Sequence, residues 1–403
     1  MDRLFSYFSL YLLITCIGCV QNADNQQVDY NTDIFNTIEK LLTETKLEFA
    51  PDARVALFSI TILDSVLQDT VTLVGETNLP KAKTTLLERL TAEGVLVKDS
   101  ISLLPSTGLG DQLTGIVNNS VANLRSKPSH SSELVTQATL GTELKLFKKE
   151  RGWYLVQTPD QYFSWINQGE MQLMAQDQLN DWQQAPKLFY RATYGFAYQQ
   201  PEPGSKPMSD LVAGGVLQLG LDEGDFYKAL YPDGRVGHVH KDEVVLFENW
   251  LDSLTASGQS LVDTAMNLRG VPYLWGGTST KGVDCSGFTK TIFFLNGMII
   301  PRDASQQVGI GNLVDSVRDF SQLHPGDLLF FGAAATDSTK EKIVHVGLWI
   351  GDDQFIHSSE RVRVSSINPE RENYDEYNLQ RYLKSKRILG SDEVVSLKKE
   401  PVL

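Results

Sequence analysis

Cys285 stands in the run Val283-Asp284-Cys285-Ser286-Gly287-Phe288, and His345 and His357, two of the chain's six histidines, follow it. A thiolate is a strong nucleophile, and imidazole titrates close to neutrality, so a histidine can take the thiol proton and later hand it to a leaving group. A second histidine can orient the first. The same three side chains also suit zinc, and a lone cysteine can simply be buried, so both readings stand beside the catalytic one.

The chemistry needs these residues held by regular elements. Asp284 reads as the N-cap of a helix whose Phe288, Ile292 and Leu295 share one face and which ends at Gly297. Cys285 then occupies the first turn. There the helix dipole and unpaired N–H groups favour an anion, so its thiol is expected to fall below the free value of about 8.5. A preceding helix is expected through Leu254, Leu261, Ala265 and Leu268, stopping at Gly270 before Pro272. His345 lies in the strand-like run Ile343 to Ile350, and His357 in its hairpin partner across Gly351-Asp352-Asp353. A three-residue turn would set His357 opposite Gly347, with His345 on the same face one diagonal step of about 7 to 8 Å away. A two-residue turn would send the rings to opposite faces. The strand Asp327 to Phe331, launched by Pro325-Gly326, completes an antiparallel sheet expected to pack on the Cys285 helix.

The 403 residues exceed what one core usually organises, so two to four domains are expected. A hydrophobic content of 41% with 21% charged residues fits a soluble globular body, and the net charge of -14 argues against nucleic-acid binding. Arg3 precedes an apolar stretch from Leu4 to Val20, which reads as a signal peptide over 1–19. Its end looks like a bacterial lipoprotein signal. Gly18 favours Cys19 as the lipidated residue, Leu13 would suit Cys16, and a plain secretory signal is the alternative; a lipid there would be the sole membrane attachment. Outside this segment Cys285 is the only cysteine, so no disulfide can form within the mature chain. An unpaired thiol in an oxidising compartment calls for burial or catalysis.

Residues 25–105 read as a small α/β domain without chemical signature, a packing or spacer unit. Over 112–175 short strand candidates alternate with turns, and Asn123-Leu124-Arg125-Ser126-Lys127-Pro128, Gly152-Trp153-Tyr154 and Trp165-Ile166 resemble a bacterial SH3-like barrel. Residues 186–248, with Gly214-Gly215 and Pro232-Asp233-Gly234-Arg235, look like a divergent second copy. Residues 250–390 carry the chemistry. His130, His238, His240 and His324 lie in turns or barrel strands, where surface or packing roles suffice.

The blocks Tyr273-Leu274-Trp275-Gly276-Gly277, Asp284-Cys285-Ser286-Gly287-Phe288, Pro301-Arg302-Asp303-Ala304-Ser305-Gln306-Gln307, Pro325 to Phe331, His345-Val346-Gly347 and His357 resemble, in order, the NlpC-type cell-wall cysteine peptidase family. The resemblance implies an α+β, papain-like catalytic domain preceded by two SH3-like barrels and the small α/β domain. It implies Cys285 as nucleophile, His345 as base and acid, His357 as orienting group, and the Cys285 N–H with the Tyr273 hydroxyl as oxyanion donors. The barrels bring the chain nearest the γ-D-glutamyl-L-diamino acid endopeptidases, also called dipeptidyl-peptidase VI, in which a barrel walls off one cleft end so that stem peptides with a free N-terminal L-alanine fit. Trp275, Asp284, Ser286 and the region Asp303 to Ser305 would then contact the L-Ala-γ-D-Glu portion, and Glu133 and Tyr162 would hold the ammonium. Ala304 stands where some relatives carry a hydroxyl. A broader wall hydrolase or amidase and a catalytically silent wall-binding module are the rival functions. No cofactor or metal is required, and the expected partners are peptidoglycan stem peptides.

Overall fold

The computed structural model describes residues 23–67 and 70–399. The expected signal segment, with Cys16 and Cys19, lies outside the described residues. The chain divides into a smaller unit, running to Pro51 and resuming over Phe58–Ser102, and a larger one, which takes Asp52–Leu57 and everything from Leu103 onward.

The smaller unit holds a long helix, Ala23–Phe49, a three-stranded sheet of Phe58–Leu67, Thr70–Thr77 and Leu96–Leu103 in that order, and a helix, Pro80–Ala92. Ile38, Leu41 and Leu42 on one helix face, with Leu86 and Leu90 on the other helix, are buried at helical spacing. Arg89 ties the two helices by pairing with Glu48 at 2.6 Å.

In the larger unit, strands over Thr114–Met174 form one seven-stranded sheet and strands over Lys187–Leu246 another. Numbered within each sheet, the neighbour order is seventh, first, fourth, fifth, sixth, second, third in both. The two are therefore copies of one topology. Leu124, Leu144, Leu146, Val156 and Ile166 fill the first core, and Leu188, Tyr190, Leu211, Leu217 and Val239 the second.

Beyond them lies a six-stranded antiparallel sheet, ordered Asn312–Asp315, Tyr382–Arg387, Leu328–Ala333, Lys342–Gly351, Gln354–Ser359, Arg361–Ser366. One face packs Leu328, Phe330, Val346, Leu348 and Ile356 against Phe288 and Ile292 of the helix Cys285–Leu295. The helix expected to include Leu254 is split in two. Leu254 closes Phe247–Ser253, and Gly258–Asn267 starts afresh because Ser257 and Ser260 cap it reciprocally.

The hairpin bearing both histidines also departs from either simple expectation. Its turn has two residues, Asp352 and Asp353, both at positive φ, with Gly351 paired to Gln354. Such a turn alone would separate the rings, but a bulge follows at once: Trp349 pairs with Phe355, leaving Ile350 extra. The bulge resets the register, and the two rings share a face.

Two glycines permit the start of the Cys285 helix. A Cβ on Gly287 would lie 1.9 Å from the Gly277 carbonyl oxygen, so the helix and the preceding loop touch backbone to backbone. Gly287→Ala is expected to lower stability by about 1–3 kcal/mol or more through overpacking, measured by denaturant unfolding.

Candidate active site

Asp284 caps the helix: its Oδ1 accepts from the Gly287 N–H at 2.7 Å. It does more than cap. Oδ2 accepts from the Gly276 N–H at 2.9 Å, and Arg302 donates to both oxygens, Nη1 at 3.1 Å and Nη2 at 2.6 Å. Arg302 Nη1 also reaches the Ser286 hydroxyl at 3.1 Å. Arg302 is only 1% exposed, so this is a buried, bidentate pair. Asp284 and Ser286 are likewise buried and partnered within the protein. Gln307 braces the same turn, donating to the Ser286 carbonyl at 3.1 Å and accepting from Thr289 at 2.8 Å.

Pairing between the two histidine-bearing strands extends from the turn only to Leu348 and Ile356. Beyond it the Val346 N–H bonds the Cys285 sulfur, and the Ser358 hydroxyl donates to the Val283 carbonyl at 2.8 Å. The Cys285 helix thus packs on both histidine-bearing strands. His345 Nε2 lies 2.8 Å from His357 Nδ1, and His357 Nε2 lies 2.9 Å from the Ser365 hydroxyl. Ser365 in turn bonds Asp375, whose carboxylate is 3.7 Å from His357 Nε2. Among the described residues no cluster of three or more His, Cys, Asp or Glu is placed to hold a metal.

Electrostatics reverse one expectation. Burial, reinforced by the Asp284 charge, pushes the Cys285 thiol up to about 11, although the Val346 and Ser286 N–H groups pull it the other way. Desolvation and the Asp284 charge together outweigh the helix N-terminus. Burial, aided by the Arg381 charge, brings His345 down to about 4, and burial with the neighbouring His345 lowers His357 as well. At neutral pH the cysteine and both imidazoles are uncharged. Burial, with Cys285 and Asp284 nearby, raises the Tyr273 hydroxyl to about 12, so it remains a donor.

Several of the expected binding residues bond one another. Trp275 is 62% exposed, and its Nε1 donates to Glu133 Oε1 of the first barrel at 2.7 Å. The loop carrying Trp275 is clamped by Gln137, whose Oε1 accepts from the Thr278 N–H at 3.1 Å and the Ser279 hydroxyl at 3.0 Å. The Tyr162 hydroxyl donates to Asp303 Oδ2 at 3.3 Å. Ser305 is exposed.

Sequence reasoning did not single out Arg302, Gln307, Ser365, Asp375 or Arg54. Arg302 and Gln307 lay inside a quoted motif and could have been read as its braces. Asp375 and Ser365 carry no local signal. Arg54 lies in the stretch read as a chemically silent spacer, yet its Nη1 donates to Asp303 Oδ2 at 2.7 Å and to Ser305 at 2.9 Å. That reading is corrected for Asp52–Leu57, which is part of the larger unit.

The NlpC/P60 family model matches residues 270–385, and the bacterial SH3 domain model matches 120–172. The γ-D-glutamyl-L-lysine dipeptidyl-peptidase of Bacillus cereus is 31% identical over 249 residues, 60% of this chain and 72% of that protein. The murein DD-endopeptidase MepS/murein LD-carboxypeptidase of Escherichia coli strain K12 is 34% identical over 147 residues, 36% of this chain and 69% of its own. A crystal structure of an NlpC/P60 family protein from Bacillus cereus ATCC 10987 superposes with a TM-score of 0.57 at 25% identity, over 68% of this chain and 99% of that one. The chain belongs to the NlpC/P60 family, with a bacterial SH3 domain ahead of its NlpC/P60 domain.

Removing Arg302 would strand the Asp284 carboxylate in the interior. Arg302→Met is expected to cost about 3–5 kcal/mol, read from chemical denaturation.

Proposed function

We propose that the protein is an exported cysteine endopeptidase of the cell envelope that hydrolyses the bond between γ-D-glutamate and the L-diamino acid in peptidoglycan stem peptides with a free N-terminal L-alanine. The observation that carries the reading is the polar chain from His345 through His357 and Ser365 to Asp375, which begins one residue from the amide that touches Cys285. The activities for which the relatives are named support the peptidoglycan substrate class.

Tautomers follow from the roles. If His345 Nδ1 is the base, its Nε2–H donates to His357 Nδ1, and His357 Nε2–H donates to Ser365, whose hydroxyl bonds Asp375. Every donor then has an acceptor. As the Cys285 sulfur attacks the γ-carbonyl carbon, the thiol proton passes to His345, and the oxyanion is met by the Cys285 N–H, left free at the helix start, with the Tyr273 hydroxyl. Collapse breaks the C–N bond, and the imidazolium protonates the departing amine. Water, deprotonated by His345, then hydrolyses the thioester and restores the thiol. Transient charge on His345 is stabilised by His357, and Asp375 is placed to balance it. Burial holds Asp375 against ionisation, but its Asn378 donors keep it below the usual carboxylate range.

On this reading the specificity end comprises the bonded pair Trp275 and Glu133, and Tyr162 with Asp303 and Ser305, with Asp284 and Ser286 supporting it. A less restricted wall hydrolase is the second reading, since only this end favours a free amine. Incubation with L-Ala-γ-D-Glu-diaminopimelate and its N-acetylated form tests the choice. Cleavage of the free-amine peptide alone is expected, and equal cleavage of both would sink the restriction.

Cys285→Ala is expected to abolish turnover while changing the melting temperature little. The pH profile tests the neutral pair. A base whose pKa is lowered stays unprotonated as pH falls, so kcat/KM should hold to about pH 5 and decline only through about 4. An acid limb near the free imidazole value of about 6.5 would exclude a buried neutral base.

A further inference from the structure

Asp52–Leu57 is flanked in sequence by the smaller unit but is built into the larger one. The Arg54 carbonyl accepts from the Phe163 N–H at 2.7 Å, the Val55 carbonyl from Gln157 Nε2 at 3.3 Å, and Leu57 packs on the Phe147, Trp153, Phe163 and Trp165 cluster. This anchoring leaves Arg54 aimed at the specificity end. Its Nε and Nη2 both bond Asp52 at 2.8 Å, and Gln306 Nε2 donates to Asp52 at 2.8 Å from the other side. Its Nη1 spends both hydrogens on Asp303 Oδ2 and Ser305. A planar guanidinium can hold two carboxylates in this way; an ammonium cannot.

Charge makes the arrangement useful to a cation. Asp52 already neutralises Arg54, and Asp284 neutralises Arg302, so across the linked groups the Asp303 charge is left uncompensated. Geometry agrees. Asp303 Oδ2 receives Arg54 and Tyr162, whereas Oδ1 has Arg302 at 3.9 Å and no hydrogen-bond donor among the described residues. The Asp303 side chain is 28% exposed.

We propose that Arg54 is a positioning and specificity-determining residue: it holds Asp303 by one oxygen so that the other accepts the ammonium of the peptide's N-terminal residue. This rests on the free-amine reading above. Tyr162 then acts on the ammonium through Asp303, and a segment outside both the NlpC/P60 domain and the barrels becomes part of the substrate site.

The experiment measures kcat/KM for L-Ala-γ-D-Glu-diaminopimelate and its N-acetylated copy on the full-length protein, as wild type, Arg54→Ala, Arg54→Lys, Asp303→Asn and the Arg54→Ala/Asp303→Asn double variant. The readout is the free-amine over N-acetyl ratio, in which any unfolded fraction cancels. Wild type should prefer the free amine, and Arg54→Ala should lose about tenfold of that preference, chiefly through KM, as loss of a charge-assisted contact implies. Arg54→Lys should recover part of it, and the double variant should fall no lower than Asp303→Asn. An unchanged ratio in Arg54→Ala, or losses that multiply in the double variant, would overturn the assignment while the free-amine reading stands. A wild type indifferent to acetylation would overturn both.

Discussion

One buried ion pair organises the catalytic half. Asp284 receives the first turn of the Cys285 helix, the Gly276 amide of the Trp275 loop and both ends of the Arg302 fork. Arg302 precedes Asp303 in sequence, so the residue that fixes the Cys285 helix also fixes the backbone next to the Asp303 carboxylate that Arg54 and Tyr162 bond. Buried pairs add little net stability against an apolar alternative, because desolvation offsets their attraction. What this one supplies is registry among three segments that share no regular element.

Burial governs the chemistry more than the helix dipole does. Burial raises the thiol and lowers the imidazoles. Under the proposed mechanism charge arises on His345 as the proton moves, and His357, Ser365 and the Asp375 carboxylate form one connected polar chain behind it. A low-dielectric site with fixed dipoles stabilises that charge without having to reorganise.

The two barrels share one topology and divide the work. The first meets the catalytic domain through Glu133 and Tyr162, in turns, and through Gln137, within a strand. In the second, Asp210 holds Lys281 and Ser120 at the junction, contacts that lock positions without touching the site residues.

Sequence alone determined what is local. The Asp284 cap, the helix it starts, the glycine stops and the strand periods around His345 follow from backbone chemistry within a few residues, and they were legible. The bacterial SH3 character of the first barrel was legible in the same way, from turns and aromatic positions. The register of the histidines was not, because a single bulged residue, Ile350, sets it, and a bulge forms only when the whole sheet pairs. The sign of the thiol shift was not, because burial is a property of the packed fold. Arg54 was invisible as a site residue, since 249 positions separate it from Asp303 and only tertiary packing brings them to hydrogen-bond distance.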